Sequence, residues 1–444
     1  MKLRLPPEPA TSLAALRIVV PLLILLGPEL REGVRVASTD PRLWVAPEGL
    51  GWFARVALIN GRLAEGVEVV AAFAALLAVA GVAARPALTV LAVTAGYLFA
   101  IANLTGWVWH DVHLLWLAAL LAASPCDHEL AFDAKPGERP PSTQYAWPLL
   151  FARLLLGAVY FFPGVHKLAR SGWAWALSDN LRNQLYWKWF ENGMVPPFRV
   201  DAYPHLLEAG ALFVLLFELL APALFVFRRT RALGALVGVA FHVTAQAILL
   251  IPFMSLWGCY VALVDVRPLT RLVARVTRRG IPEREVAPVA SSMPARIVGF
   301  ALLVGVVVQG VRGQMQSFPF VCYPTFEWRA GVEIPDVRLI AVMPDGRQVD
   351  VPHARDANGY RTQRQWGTVW SLGRLGGVLG TGGGDARLRA YYASATSEEP
   401  LRSLTYGASR VRVIAVYRSV VPEDRDAPPL SEKLLADLPL DVTP

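Results

Sequence analysis

The sequence predicts a polytopic α-helical membrane protein of about nine transmembrane helices with a small β-rich extracytoplasmic domain at its C-terminal end. Three observations lead there. The 444 residues are 54% hydrophobic and only 18% charged, against about 25% charged in soluble domains, and the mean hydropathy is +0.40. The apolar residues gather into runs near the roughly 20-residue length that crosses a bilayer. Beyond about Gln314 these runs give way to strand-like alternation. Residues 1–313 are therefore expected to form a transmembrane helical domain, and 314–444 a soluble one.

The first run, Ser12 to Leu26, follows Lys2 and Arg4. A signal peptide has the same outline, but Arg17 interrupts this one and no small-residue cleavage site follows closely. A retained helix is expected, with Arg17 snorkelling to the cytoplasmic surface. Further runs lie near 66–83, 86–104, 107–124, 148–165, 205–227, 232–251, 253–266 and 297–311. Of these, 253–266 is short and also suits a tilted or re-entrant segment.

Orientation follows from the basic loops. With the N-terminus in the cytoplasm, 228–231 (Arg-Arg-Thr-Arg) and 267–296, which holds seven arginines against Glu283 and Glu285, both fall inside, as the positive-inside rule requires. Residues 27–65, 168–204 and the C-terminal part then lie outside a cell (inner or plasma) membrane. The net charge of +8 is thus a topology signal and argues against a nucleic-acid partner. Cys126, Cys259 and Cys322 are far apart, with neither a disulfide framework nor metal-ligand spacing.

In the C-terminal part, Val337–Met343 and Arg347–Val351 flank Pro344-Asp-Gly346 and predict a hairpin. Arg410–Arg418 alternates at the strand period. Gly376–Gly384 is glycine-rich but lacks the Lys-Ser/Thr ending of a phosphate loop, so a flexible connection is expected. Ser431–Leu438 suits a short terminal helix.

Ionisable side chains inside lipid are costly and tend to face a cavity or a partner. The stretch Tyr160-Phe-Phe-Pro-Gly-Val-His-Lys-Leu-Ala169 ends an apolar run on His166 and Lys167. Pro163 is expected to kink its helix, and Gly164 leaves room one turn before Lys167. His113 lies roughly 9 Å into its own helix, close enough to the outer end to meet Lys167, and His110 shares its face. Deeper in the membrane, Glu218 and His242 are placed to approach each other, with Gln246 one turn beyond His242. Plainer roles fit the same residues: Lys167 as a snorkelling helix end, His113 as a core histidine, Glu218–His242 as a structural clamp, Arg17 and Arg153 as anchors. The aromatic segment from Trp173 to Phe190 fits an interfacial belt.

Three segments carry a resemblance. Trp109-His-Asp-Val-His113-Leu-Leu-Trp-Leu-Ala-Ala-Leu, Tyr160 through Lys167 to Trp173, and Val239-Ala-Phe-His242-Val-Thr-Ala-Gln246 resemble the membrane half of the vitamin-K-dependent γ-glutamyl carboxylases. More broadly they resemble the bacterial HTTM (horizontally transferred transmembrane domain) family, which shares that half. The resemblance covers about 12–266, and the Gly-Val-X-Lys-Leu element with its downstream Trp is its most specific part. It implies Lys167 as the base that deprotonates a reduced, vitamin K hydroquinone-like quinone. Oxygen then generates a stronger base and CO2 adds to a carbanion, a carbon–carbon lyase chemistry in which His113 would handle the CO2-derived step. His166, His110, Trp173 and Tyr160 would line the pocket, with His242, Glu218 and Gln246 supporting it. A lysine desolvated against apolar helix is a usable base. Two departures stand out: His166 precedes Lys167 where the animal carboxylases have a second lysine, and their large outer substrate-binding domain has no counterpart here.

The leading expectation is base chemistry on a quinol-like lipophilic molecule in an outer-facing cavity. A second is a non-catalytic membrane scaffold or carrier whose outer domain binds a protein partner. A third is a proton-coupled transporter using Glu218 and His242, although no internal repeat of the transporter kind is visible.

Overall fold

The computed structural model describes residues 5–105, 108, 111–134, 139–251, 253–276, 292–315, 317–323, 326–351, 382–397 and 399–440. The first helix, α1 (Ala10–Leu26), bends at Gly27-Pro28 into α2 (Glu29–Ala37). After a short α3 (Gly51–Val56) come α4 (Gly61–Ala80), α5 (Ala84–Ala102), α6 (His113–Ala122), α7 (Thr143–Ser171), α8 (Asn180–Glu191), α9 (Pro204–Val226), α10 (Arg231–Leu249), α11 (Met254–Gly258), α12 (Arg267–Val276) and α13 (Met293–Arg312).

Among the described residues, seven helical segments are long and apolar enough to cross a membrane: Ala10–Ala37, Gly61–Ala80, Ala84–Ala102, Thr143–Trp175, Pro204–Val226, Arg231–Leu249 and Met293–Arg312. Two of the nine expected runs fall short of that length. The run 107–124 yields the 10-residue α6, and 253–266 breaks into the five-residue α11 and a 3-10 turn at Cys259–Ala262. Both segments are buried inside the bundle, where Leu256, Cys259 and Ala262 join the core.

Helix α7 is the hub. Its apolar window is 78% buried, against 22% for α13, so neighbours rather than lipid surround it. Against α9 the backbones nearly touch: a Cβ on Gly157 would sit 2.8 Å from Pro222 Cα, and one on Gly164 would sit 3.0 Å from Glu218 Cβ. Small residues permit such approach in membrane helices. Pro163 is carried within the continuous helix.

Two arginines expected to reach for the surface turn inward. Arg17 is 0% exposed; its guanidinium donates to the Cys126 carbonyl at 3.1 Å, to that of Val79 at 3.1 Å, and to those of Ala78 and Leu130. It caps the C-terminal end of α4 and ties the loop after α6 to α1. Arg153 donates to Ala262 O at 2.8 Å and pairs with Glu8 at 2.8 Å, and Arg231 reaches the same carboxylate at 2.6 Å. Burial opposes ionisation of Glu8, but the two arginines outweigh it and hold the carboxyl below its ordinary 4.5. A depressed folded-state value contributes stability that is present above the unfolded value and lost as pH falls through the folded one. Thermal unfolding in detergent should therefore lose ground below about pH 4.5, and Glu8→Gln should flatten that slope; an unchanged slope would refute the assignment.

The C-terminal part forms a four-stranded antiparallel sheet of order β2-β1-β3-β4, from β1 (Glu333–Val342), β2 (Gln348–Val351), β3 (Arg410–Ser419) and β4 (Ser431–Pro439). The expected hairpin is there, with Leu339 opposite Val351 and Gly346 at φ +85° in its turn. The expected helix at 431–438 is instead strand β4. Its Leu434, Leu435 and Leu438 also suit a helix, but β3 offers an open edge, and Asp437 bridges Arg410 at 2.8 Å and Arg412 at 3.1 Å across the ladder. Among the described residues after β2 are the helices α14 (Gly382–Ala395) and α15 (Leu401–Thr405). Leu388, Tyr391 and Tyr392 of α14 pack on Leu339, Val411 and Val413 of the sheet. Gly382–Gly384 of the glycine-rich stretch begin α14, and 376–381 lie outside the described residues.

Candidate functional site

Lys167 is in the last two turns of α7 and is 2% exposed. Its Nζ donates to Glu218 Oε1 at 2.5 Å and lies 5.1 Å from the Trp175 ring centroid. Glu218 is on α9 at the level where Gly164 lets the two helices meet, so the glycine makes the space in which the pair forms. An intramembrane charge needs such a partner, and the aromatic face adds a cation–π contact.

Both residues border a cavity of about 100 Å³ whose wall is mostly apolar, including Val159, Pro163, Val214, Phe241, Leu256 and Phe326. Across it stands His242 of α10, 2% exposed. Its Nε2 shares a 2.6 Å hydrogen bond with Tyr160 Oη, which shares another of 2.5 Å with Tyr260 Oη. Phe217, Phe225 and Phe241 ring Tyr160. Among the described residues, Glu218 Oε2 and His242 Nδ1 are buried with no hydrogen-bond partner. Buried polar atoms are rarely left so. Two of them on one apolar wall mark a place built to receive a polar group.

The cover of the cavity comes from further along the chain. Tyr323 and Phe326 line it, and the segment after them is held across the end of α7 and along α8 by its backbone carbonyls. Trp175 Nε1 donates to Phe326 O at 2.6 Å, Ser171 Oγ to Glu327 O at 3.1 Å, Gln184 Nε2 to Trp328 O at 3.1 Å, and Asn183 Nδ2 to Ala330 O at 2.8 Å. Arg170 pairs with Glu327 at 2.9 Å and stacks on Trp328. Burial pushes the Glu327 carboxyl above its ordinary value despite Arg170.

The expected site residues therefore divide. Lys167, Tyr160, Glu218 and His242 come together on one cavity, but the pairing is Lys167 with Glu218 and Tyr160 with His242. His113 does not line it. It is buried on α6, and its Nε2–H donates to Ser255 O at 3.2 Å, beside the cavity-lining Leu256. His166 faces α13 and donates to Gly310 O at 2.7 Å. Trp173 is 56% exposed, and Trp175, two residues on in the 3-10 turn, is the tryptophan on the lysine. Gln246 is exposed although it follows His242 by one turn, because α10 presents only a narrow face to the bundle. His110 lies outside the described residues. Trp189, expected in an interfacial belt, is 0% exposed and donates to Ile248 O at 2.9 Å.

Tyr260, Tyr323 and Phe326 are not singled out in sequence, and Trp175 enters there only as part of the expected interfacial belt. Each is one aromatic among many in apolar surroundings, and only the return of the chain over α7 distinguishes them. Chemically, the arrangement can hold a proton on either member of the Lys167–Glu218 pair. It offers Glu218 Oε2 and His242 Nδ1 to a guest, and it excludes bulk water. No group of three or more His, Cys, Asp or Glu able to hold a metal occurs among the described residues.

A family model described as the HTTM domain matches residues 6–264, more than half of the chain. No curated protein and no solved structure matches it.

Proposed function

This chain belongs to the HTTM domain family, and we propose that its cavity binds a lipophilic, quinol-like molecule and takes a proton from its hydroxyl through the Lys167–Glu218 pair. The observation that carries this reading is the buried pair on an apolar wall, with Glu218 Oε2 and His242 Nδ1 unpartnered beside it. As ammonium and carboxylate, the pair presents Glu218 Oε2 as the acceptor for the hydroxyl hydrogen, and the ammonium stabilises the oxyanion that remains. As amine and carboxylic acid, it presents Lys167 Nζ as the base. Tyr160 and Tyr260 fix the ring of His242, whose Nδ1 faces the second polar atom of the guest. Oxygen and CO2 would enter as co-substrates in the carboxylase-like form of the chemistry, with Lys167 as the residue that begins it.

Small-molecule pockets start at about 300 Å³, so a ring-sized guest enters only as Phe241, Phe253 or Phe326 swings aside. In the proposed topology the N-terminus is cytoplasmic in a cell membrane, and residues 314–444 form an extracytoplasmic domain beside the cavity mouth. The basic loops support that orientation.

The test offers the purified protein a series of reduced quinones with O2 and labelled bicarbonate. Wild type should bind or oxidise one of them, and Glu218→Gln and Lys167→Gln, checked as folded, should lose about 10²–10⁴-fold. Failure of wild type to bind or oxidise any of the quinols removes the proposal. A second reading rests on the same pair: Lys167 has both a carboxylate and an aromatic partner, as in a structural clamp between α7 and α9. On that reading the protein is a membrane scaffold whose outer sheet binds a protein partner, and both variants would change stability alone.

A further inference from the structure

We infer that α12 is a docking element for anionic phospholipid headgroups, lying along the membrane surface at the end of the bundle that holds Arg17 and Arg153. The helix Arg267–Val276 leaves the bundle directly after Val264, whose carbonyl accepts from Ser12 Oγ at 3.3 Å at the start of α1. Nearby, Ala262 is held by Arg153, and Glu8 joins Arg153 to Arg231. Near the start of α13, Arg296 stacks on Trp147 with its guanidinium 4.5 Å from the ring, the aromatic-with-cation pairing of a membrane interface. Helix α12 therefore begins at headgroup level, next in the chain to the buried segment that ends at Val264.

Its sequence is divided by face. Arg267 and Arg271 are one helical turn apart on one side, and Leu269 and Leu272 fall away from them on the other. Those leucines are 61% and 55% exposed, so the protein does not cover them. From 267 to 279 the chain carries five arginines and no acidic residue. Asp265 caps the helix from just outside, accepting from Arg267 N at 3.0 Å and pairing with its guanidinium. An apolar face opposite a basic one, on a helix too short to span, is the pattern that lies in the plane of the interface. The leucines enter the acyl boundary and the arginines meet phosphate. A soluble protein partner would match the leucines alone, whereas an anionic bilayer also matches the net positive charge of 267–279.

The experiment uses the full chain in nanodiscs of phosphatidylcholine alone or mixed with phosphatidylglycerol. A single reactive cysteine, Leu272→Cys, carries an environment-sensitive fluorophore; the native cysteines Cys126, Cys259 and Cys322 are all buried. The fluorophore should be immersed and shielded from an aqueous quencher in the phosphatidylglycerol discs, and released by raised salt. Arg271→Gln should weaken its immersion equilibrium about fivefold, and Leu269→Glu should release it in both lipids. Equal immersion with and without phosphatidylglycerol would overturn the headgroup assignment, and exposure in both would overturn membrane docking altogether.

Discussion

Truncating Lys167 to Ala is expected to cost about 3–5 kcal/mol of folding stability, the usual penalty for stranding one half of a buried ion pair. Glu218, 6% exposed beside the intact lysine, would lose the side-chain partner of Oε1, and its Oε2 already has none. Glu218→Ala should cost a similar amount by stranding Lys167 against Trp175. Replacing both together, Lys167→Met with Glu218→Leu, should recover most of the loss, because well-packed apolar residues often equal or exceed a buried pair. Reversible unfolding of the four proteins in mixed detergent gives the coupling energy directly. Additive single losses would show that the two residues do not act as a unit. The double variant also separates the two functional readings: if stable and inert toward quinols that wild type binds or oxidises, the pair acts in the chemistry rather than the clamp.

The second large effect is expected at Arg17. Arg17→Met should destabilise the helical part by about 3 kcal/mol: Arg17 serves the carbonyls of Cys126, Ala78, Val79 and Leu130, of which Ala78 O keeps the Gly81 N–H, and a buried carbonyl left without a donor costs about 1–3 kcal/mol. Arg17→Lys should recover little: a single ammonium lacks the rigid fork that reaches Ala78 and Val79 on one side and Cys126 and Leu130 on the other. Loss of protection in hydrogen exchange should concentrate at the end of α4 and at 124–134. A variant as stable as wild type would return Arg17 to the role of a surface anchor.

How far the sequence could be read depended on what kind of physics set each feature. Apolar run length reports burial, and it identified every long helix from α4 to α13. It does not tell lipid from protein as the burying medium, and at 107–124 and 253–266 the described helices α6 and α11 are shorter than the apolar runs that contain them. Period alone could not separate strand from helix at 431–438, where Asp437 and the free edge of β3 decided. In the site, residue type was legible and pairing was not. Lys167, Glu218, His242 and Tyr160 stand out as polar atoms in apolar runs. Which of them meet depends on the rotation and height of α7, α9 and α10, set by Gly157 and Gly164 against α9 and by Gly238 against Tyr260. Trp175 rather than Trp173 follows from a single 3-10 turn at Gly172–Trp175, a detail below the resolution of any pattern.

The stretch from Phe326 to Ala330 joins two mechanical roles in one piece of chain. It supplies Phe326 to the cavity wall, and within a few residues it becomes β1, the strand paired on both sides in the sheet. The anchoring bonds run from side chains of α7, the turn after it and α8 to the stretch's backbone, so they hold it whatever residues it carries. A load applied to the sheet travels along the chain from β1 and meets the anchored carbonyls of Ala330, Trp328 and Glu327 before it reaches Phe326. Those bonds therefore decide whether the cavity wall moves with the sheet or stays fixed while the sheet is pulled.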